Sequence, residues 1–438
     1  MRCLPAALLL ALLLCVQSAQ AETIAPISDE AQRLYQTHGD AVYQVQVIDI
    51  ASDKKTSIGS GFQFTADGLI ATNYHVVAEA VQRGGNNRIE YLHDRGEKGA
   101  LTVIAADVTH DLAIVKMDRP GKTFLNLGTS KLPKGVKLFS LGNPHDIGFT
   151  IIEGTYNGLS KDSFVEKIHF SGSINPGMSG GPAITHAGDV AGINVATAGN
   201  QISFLVPVEP LRNLSQKAAS GKTGNFMGAA DKNIEKQLLD MQEKNVSDLL
   251  KKDWESVPFG PVMVPGRTHE ALKCWGGVNH KEKDPYQFFF SVCASQDRVF
   301  LDEDFDTGSI LYRYDYITAK DNLDLSRFYD FYEQQYMEPA SDYQNVKEGD
   351  AGNFDCNSRF VDLAGLRWKS SLCVRQYKKY PALYDMHLAM AMVGEGKKGL
   401  IATLAAQGVS QKSALALAER FMSEIKAPSG DKKRGGKP

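Results

Sequence analysis

The residues with the clearest chemical potential are a serine, a histidine and an aspartate in the first half of the chain. Ser179 lies in SINPGMSGGPAI, where neighbouring glycines let the backbone turn sharply and expose a hydroxyl. A hydroxyl nucleophile needs a base, and His75 in GLIATNYHVVAEA can accept a proton near neutral pH. An imidazole base needs an orienting carboxylate, and Asp111 opens the apolar run DLAIVKM. The order His, Asp, Ser therefore predicts nucleophilic hydrolysis.

Each of these residues has competitors, so the residue types alone leave the assignment open. A segment rich in Gly and Ser is more often a plain turn. A single histidine is more often a surface or packing residue than a catalyst. The other histidines in this half are His38, His93, His110, His145, His169 and His186, and the competing acids are Asp107 and Asp118.

Short strands must position these residues. Tyr43, Val45 and Val47 alternate with Gln44 and Gln46, a period of two that is typical of half-buried strands. Apolar runs of strand length recur as far as residue 210, separated by turns rich in Gly, Asn and Asp. Many short strands with glycine-rich turns predict an all-β barrel or sandwich.

The pattern changes after Pro210. A polar, glycine-containing segment precedes a helix with Ile234, Leu238 and Met241 on one face, which indicates a domain boundary. From there on, aromatic strand candidates such as YQFFFSV and SILYRYDYI mix with helix candidates at 325–337 and 413–425, so we predict an α+β domain. The predicted organisation is a signal peptide at 1–21, a hydrolase domain at 22–215, a linker with an amphipathic helix at 216–257, the α+β domain at 258–427, and a basic disordered tail at 428–438.

Composition and charge exclude several classes of protein. The 438 residues are 43% hydrophobic and 23% charged, which excludes collagen, coiled coils and wholesale disorder. The net charge of -3 provides no global field that would draw the chain to nucleic acid or anionic lipid. Partners must therefore be sought at a local site.

The N-terminus has the pattern of a secretory signal. Arg2 precedes an apolar run from Leu4 to Val16, and Ala19-Gln20-Ala21 offers a cleavage site between small residues. The run is too short to span about 30 Å of hydrocarbon. We therefore expect a cleaved signal peptide, no stable membrane insertion, and a mature protein outside the cytosol.

The number and positions of the cysteines are consistent with an exported protein. Cys3 and Cys15 leave with the signal peptide, and an even number of cysteines remains in the second half, which predicts disulfides. Three pairings are open, of which the sequential one closes two modest loops. The four candidates are Cys274, Cys293, Cys356 and Cys373. No C-x-x-C or H-E-x-x-H pair is present, so we predict no metal site and no cofactor.

Taken together, the motifs resemble the trypsin-like serine proteases of the HtrA/Deg branch. They are GSGFQFTADGLIATNYHVV, THDLAIVKM, SLGNP, GSINPGMSGGPAI and VAGINVAT with ISFLVPVEPLR. The resemblance spans residues 28–214 in the family's order. It implies two six-stranded antiparallel β-barrels with the active site in the cleft between them.

The resemblance also implies residue roles. His75 would be the general base, Asp111 its orienting carboxylate and Ser179 the nucleophile, while the N–H groups of Gly177 and Ser179 would form the oxyanion hole. Ser173 stands where digestive trypsins carry an acid, so cleavage after Lys or Arg is disfavoured. The substrate-binding residues implied are Ser173, Ile174, Asn175, Ile193, Asn194 and Val195, with 193–197 also offering an edge for an extended peptide.

The chain departs from the family in two ways: no PDZ domain is recognisable after Leu214, and Met178 precedes the serine.

Our hypothesis is an exported, periplasmic serine endopeptidase for envelope protein quality control, which cleaves unfolded or extended polypeptides after small aliphatic residues. The resemblance further implies a homo-oligomer, a trimer in that family. The alternative is a catalytically idle or latent peptide-binding, chaperone-like protein that uses the barrels as a scaffold.

Overall fold

The structure, a computed structural model, describes residues 28–160, 162–199, 201–221, 225–279, 284–302, 304–337, 346–347 and 349–428. The predicted signal peptide lies outside the described residues, as does the tail beyond Pro428. We number helices and strands in chain order. No helix among the described residues is both long and apolar enough to cross a membrane.

The first half of the described chain forms two closed antiparallel barrels of six strands each. The first barrel, in the order β1-β2-β3-β6-β5-β4, comprises β1 (Val42–Asp49), β2 (Lys54–Gln63), β3 (Leu69–Thr72), β4 (Asn87–Leu92), β5 (Lys98–Asp107) and β6 (Leu112–Met117). The second, in the order β10-β11-β12-β9-β8-β7, comprises β7 (Lys137–Gly142), β8 (Thr150–Leu159), β9 (Ile168–Phe170), β10 (Pro182–Ile184), β11 (Val190–Gly199) and β12 (Ile202–Pro207). The double barrel implied by the resemblance is confirmed.

Four helices accompany the barrels. They are α1 (Asp29–His38), α2 (Tyr74–Gln82), α3 (Val208–Ala219) and α4 (Ala230–Lys251). Ser28 begins α1 by accepting a hydrogen bond from the Ala31 N–H at 3.1 Å, the usual N-cap contact. The boundary that we predict between 215 and 216 falls inside α3.

The second half is built mostly of strands, whereas we predicted an α+β domain. A seven-stranded antiparallel sheet has the order β15-β16-β19-β23-β22-β21-β20. Its strands are β15 (Leu272–Asn279), β16 (Tyr286–Ser295), β19 (Ile310–Ala319), β20 (Asp355–Leu363), β21 (Leu366–Gln376), β22 (Tyr384–Val393) and β23 (Lys398–Val409). Two further pairs of strands form separate two-stranded sheets, β13 (Ser256–Phe259) with β14 (Val262–Pro265) and β17 (Val299–Asp302) with β18 (Phe305–Thr307). The helices of this half are α5 (Leu325–Met337) and α6 (Gln411–Ser423). Aromatic and β-branched runs form long strands. The two helices predicted at 325–337 and 413–425 correspond to α5 and α6.

Helix α4 joins the two halves through their cores. Ile234 and Leu238, in its first part, are fully buried in the apolar core of the first barrel. Val246 and Leu249, about two and three turns beyond Leu238, are buried in the core of the seven-stranded sheet. The amphipathic face predicted in this region therefore packs on both halves.

Residues of the second half also enter the first barrel's core directly. Val299, Leu301 and Phe305, from the β17–β18 hairpin, are buried in the same cluster as Val77 and Val81 of α2. Tyr380 adds a polar contact, because its hydroxyl accepts a hydrogen bond from Gln82 Nε2 at 2.8 Å. The two halves thus share the apolar cluster of the first barrel.

The four cysteines of the second half form the sequential pairs. Cys274 faces Cys293 on β15 and β16, and Cys356 faces Cys373 on β20 and β21. Each disulfide joins an edge strand of the large sheet to its neighbour. The disulfide prediction is confirmed, with the pairing that we could not choose from the sequence now assigned.

We predict that replacing Cys356 and Cys373 together by alanine lowers the free energy of unfolding by about 3 kcal/mol. The reason is that the crosslink closes a loop with a sequence separation of 17 and so restricts the unfolded chain. Urea denaturation followed by circular dichroism measures the change. A control variant with all four cysteines replaced should be insensitive to dithiothreitol, and an unchanged urea midpoint in the double variant would contradict the prediction.

Candidate active site

His75 lies at the junction between β3 and α2, in the first turn of the helix. Tyr74, fully buried in the first barrel's core, fixes this junction, and Val76 on the other side is equally buried. Between these two anchors the His75 side chain remains 31% exposed. The alternation of buried and exposed residues at the helix start therefore presents the imidazole at the surface of the first barrel, on a rigid support.

Asp111 lies in the turn between β5 and β6 with a left-handed backbone, φ 55°. Aspartate tolerates this conformation better than most non-glycine residues. Asn73 Nδ2 donates to the Asp111 carbonyl at 2.8 Å. From α4, Gln237 donates to Ala106 O at 3.1 Å and accepts from Val108 N at 2.9 Å. Contacts from two other elements thus hold the turn.

The two side chains meet directly. His75 Nδ1 lies 2.6 Å from Asp111 Oδ2, and the His75 backbone N–H donates to Oδ1 at 2.8 Å. An ionised carboxylate only accepts hydrogen bonds, so Nδ1 carries the proton and donates it. In the neutral imidazole, Nε2 is then unprotonated and available as a base. The arrangement is that of a base oriented by a carboxylate.

Opposing effects act on the pKa of His75. Burial of the imidazole lowers its pKa, whereas the negative charge of Asp111 and the hydrogen bond to it raise the pKa. The net result is a pKa above the ordinary value of 6.5, because a charge partner this close stabilises the imidazolium. This stabilisation is what a base needs while it holds a proton from a nucleophile.

Ser179 lies on a turn fixed by glycines and by β2. Gly177 and Gly180 have φ values of 93° and 87°, in the region that glycine adopts readily. A Cβ added to Gly180 would lie 2.9 Å from the backbone nitrogen of Asn73, so the turn packs closely against the segment that leads into His75. The Ser60 N–H donates to the Ser179 carbonyl at 2.7 Å. These contacts bring Ser179 beside the His75 junction.

Two N–H groups of this turn are available to a ligand. Met178 N donates to Asn175 O at 3.0 Å, and Gly180 N donates to Asn194 O at 2.9 Å. Within the described part of the chain, the N–H groups of Gly177 and Ser179 donate to no acceptor. Unpaired donors at one turn can stabilise an oxyanion.

The residues predicted to bind substrate divide into two groups. Ile174, Ile193 and Asn194 are buried, and Asn194 Nδ2 donates to Leu141 O and Met178 O at 3.1 and 3.2 Å. Ser173 and Asn175 are exposed, and Val195 is half-buried. The buried three shape the turn that carries Ser179, and direct contact with substrate stays a prediction for all six.

Beyond Asn194, no strand among the described residues pairs with β11 on the side opposite β12. Strand β10 pairs with β11 only at Val190, Gly192 and Ile193. On the other side, the register with β12 shifts between Asn194 and Ala196, which leaves Val195 in a bulge. A bulge next to an uncovered edge exposes backbone groups to which an extended peptide can add.

The competing acid Asp107 forms a second, separate pair. His110 Nδ1 lies 2.8 Å from Asp107 Oδ2, and the Asp107 carboxylate also accepts a hydrogen bond from Thr109. A cavity of about 640 Å³ lies between this turn and α4 and is lined by His110 but not by His75 or Ser179. The Asp107 carboxylate thus stabilises the turn that carries Asp111.

Sequence reasoning missed three residues that support the site. Ser60 Oγ donates to Gly177 O at 2.7 Å and accepts from Asn143 N at 2.9 Å, and so holds the serine turn. Gln237 holds the Asp111 turn from α4. Phe300, from the second half, lies with its ring centroid 6.1 Å from that of His75. Ser60 lies within the quoted motif GSGFQF, whereas no local signal distinguishes Gln237 or Phe300.

We predict that His75 titrates above pH 6.5 and that Asp111→Asn lowers its pKa below that value. The substitution removes both effects that raise the pKa and leaves burial, which lowers it. Asparagine also accepts the left-handed backbone. NMR titration with histidine-selective ¹³C labelling gives the value. In the matched variant Asp107→Asn the His75 titration should be unchanged, and a wild-type value at or below 6.5 would contradict the prediction.

Comparison with known proteins gives matches to the first half. Residues 59–193 match the family model of the trypsin-like peptidase domain. A probable periplasmic serine endoprotease DegP-like from Ectopseudomonas mendocina (strain ymp) is 35% identical over 194 residues, which cover 42% of this chain and 40% of the relative. A protein of the same description from Chlamydia muridarum (strain MoPn / Nigg) is 31% identical over 193 residues, covering 41% and 38%.

A solved structure similar to the chain is Deg5, at 26% identity and a TM-score of 0.38, covering 43% of this chain and 93% of Deg5. The chain matches about 40% of the length of the curated relatives. Its first half is thus similar to DegP-like serine endoproteases, with a trypsin-like peptidase domain matched over residues 59–193.

Proposed function

We propose that the protein is an exported serine endopeptidase that acts in the periplasm on unfolded or extended polypeptides. The observation that carries the proposal is the oriented His75–Asp111 pair beside a glycine-framed serine turn with two unpaired N–H groups. This combination supplies a base, a nucleophile and oxyanion donors at one place. The relatives named as periplasmic endoproteases support the location and the reaction class.

The proposed reaction proceeds through an acyl-enzyme. Ser179 Oγ attacks the carbonyl carbon of a peptide bond while His75 Nε2 accepts the hydroxyl proton. The N–H groups of Gly177 and Ser179 donate to the resulting oxyanion. The C–N bond then breaks as the His75 imidazolium gives its proton to the leaving amine. In the second stage, a water oxygen attacks the carbonyl carbon of the ester while His75 Nε2 accepts a proton from that water. The bond between this carbon and Ser179 Oγ then breaks, His75 returns the proton to Oγ, and the carboxylic acid product leaves.

Substrate recognition would use the open edge of β11. An extended peptide added at Val195 gains main-chain hydrogen bonds without regard to sequence. Only an unfolded or extended chain offers free backbone groups for this pairing, since those of a folded protein are already bonded. This favours extended polypeptides over folded proteins as substrates, and it agrees with a role in envelope protein quality control.

We predict that Ser179→Ala reduces peptide hydrolysis by about 10³-fold or more, because the nucleophile is lost. Turnover of a fluorogenic unstructured peptide measures the change, and a fluorophosphonate probe should label the wild type but not the variant. The exposed Ser220, whose hydroxyl caps the end of α3, provides the control Ser220→Ala with unchanged turnover. Undiminished hydrolysis by Ser179→Ala would rule out Ser179 as the nucleophile.

We predict that peptides with Val before the scissile bond are cleaved with a kcat/KM about 10²-fold above that of the same peptides with Lys. The proposed pocket offers no carboxylate at Ser173, so a lysine would enter it unpaired. The matched variant Ser173→Asp should raise kcat/KM for the Lys peptide selectively. Equal cleavage of both peptides by the wild type would rule out the proposed preference.

A further inference from the structure

The β17–β18 hairpin of the second half lies at the cleft between the barrels. Along β17, Val299 and Leu301 are 4% and 1% exposed, whereas Phe300 between them is 43% exposed. This alternation is that of a strand with one face on a core. The buried face packs on α2, and the other face directs Phe300 toward the candidate active site.

The Phe300 ring contacts the catalytic candidates. Its centroid lies 6.1 Å from that of the His75 imidazole, at an interplanar angle of 62°, an edge-to-face arrangement. Phe300 also lines a cavity of about 70 Å³ together with Asp111 and Val195. The ring therefore lies near both the proposed base and Val195 of β11.

The hairpin is tied to both barrels. On the side of the second barrel, Asp297 is 7% exposed and accepts a hydrogen bond from Phe164 N at 2.7 Å, and Lys167 Nζ lies 3.7 Å from its carboxylate. Across the hairpin, Arg298 forms an ion pair with Asp306 at 3.0 Å. Because the backbone on both sides of Phe300 is packed or bonded, the ring has a defined position at the cleft.

An extended peptide on β11 would place one side chain against this ring. Successive side chains of a strand point to opposite faces. If the residue before the scissile bond enters the pocket near Ser173, the residue preceding it points the other way, toward His75. Val195 and Phe300 offer apolar side chains there, in a cavity that charged residues such as Asp111, Lys167 and Arg298 also line.

We propose that Phe300 is a specificity-determining residue that selects an apolar side chain at the second substrate position before the scissile bond. This inference rests on the proposed endopeptidase function. The second half of the chain would thereby contribute directly to substrate recognition by the first half, through a residue outside the segment matched to the peptidase family.

The test compares kcat/KM of the full-length protein on fluorogenic peptides that share every residue except the second one before the scissile bond, Leu or Gly. The wild type should prefer Leu, and Phe300→Ala should reduce the Leu-to-Gly ratio by about tenfold, the scale of a lost apolar contact in a pocket. Phe300→Leu should restore most of the preference. Phe360→Ala, at a phenylalanine that is 58% exposed on β20, is the matched control and should leave the ratio unchanged.

The outcomes separate this inference from the proposed function. If the wild type neither hydrolyses peptide nor reacts with the fluorophosphonate, the endopeptidase proposal fails and the inference with it. If the wild type is active but Phe300→Ala keeps the Leu-to-Gly ratio, only the inference is overturned. A uniform rise in kcat/KM for both peptides would mean that the ring obstructs the cleft, and a uniform fall would mean that it acts through His75; either result overturns selection by Phe300.

Discussion

The contact between His75 and Asp111 depends on a left-handed backbone at Asp111, which directs a carboxylate from a strand-connecting turn back across the barrel. Such a conformation costs a non-glycine residue about 1 kcal/mol, so neighbouring contacts must stabilise it. Asn73 does so from the histidine segment. Gln237 does so from α4, an element outside both barrels. The orientation of the proposed base is therefore determined partly by α4, the helix that joins the two halves.

The sequence identified site residues where a reactive side chain lies within a short motif of recognisable local conformation. His75 and Asp111 could be selected over competing histidines and acids because their motifs occur in a known order, and the structure places the two in contact. Phe300 and Gln237 could not be selected. The run around Phe300 has the pattern of any half-buried strand, and the helix on which that strand packs lies more than 200 residues earlier in the sequence. Such long-range packing leaves no local signature.

The second half shows a limit of predicting secondary structure from residue propensities. Tyr314 of the predicted strand SILYRYDYI is buried, with its ring stacked on that of Phe421 at 5.9 Å between centroids. The predicted α+β class was less accurate: the two predicted helices are present as α5 and α6, within two residues of their predicted bounds, but most of the domain is strand. Cross-strand neighbours decide strand length, and sequence alone does not identify those neighbours.

The core shared between the halves has a consequence for the order of folding. A chain emerges from its N-terminus first, so the segment that forms the barrels is available well before the hairpin around Phe305 and the stretch around Tyr380. Until those later segments arrive, the first barrel's core lacks part of its apolar cover, and α2 lacks a hydrogen bond at its end. The apolar cluster that supports α2, and with it the segment carrying His75, is thus completed only by residues from the last third of the chain.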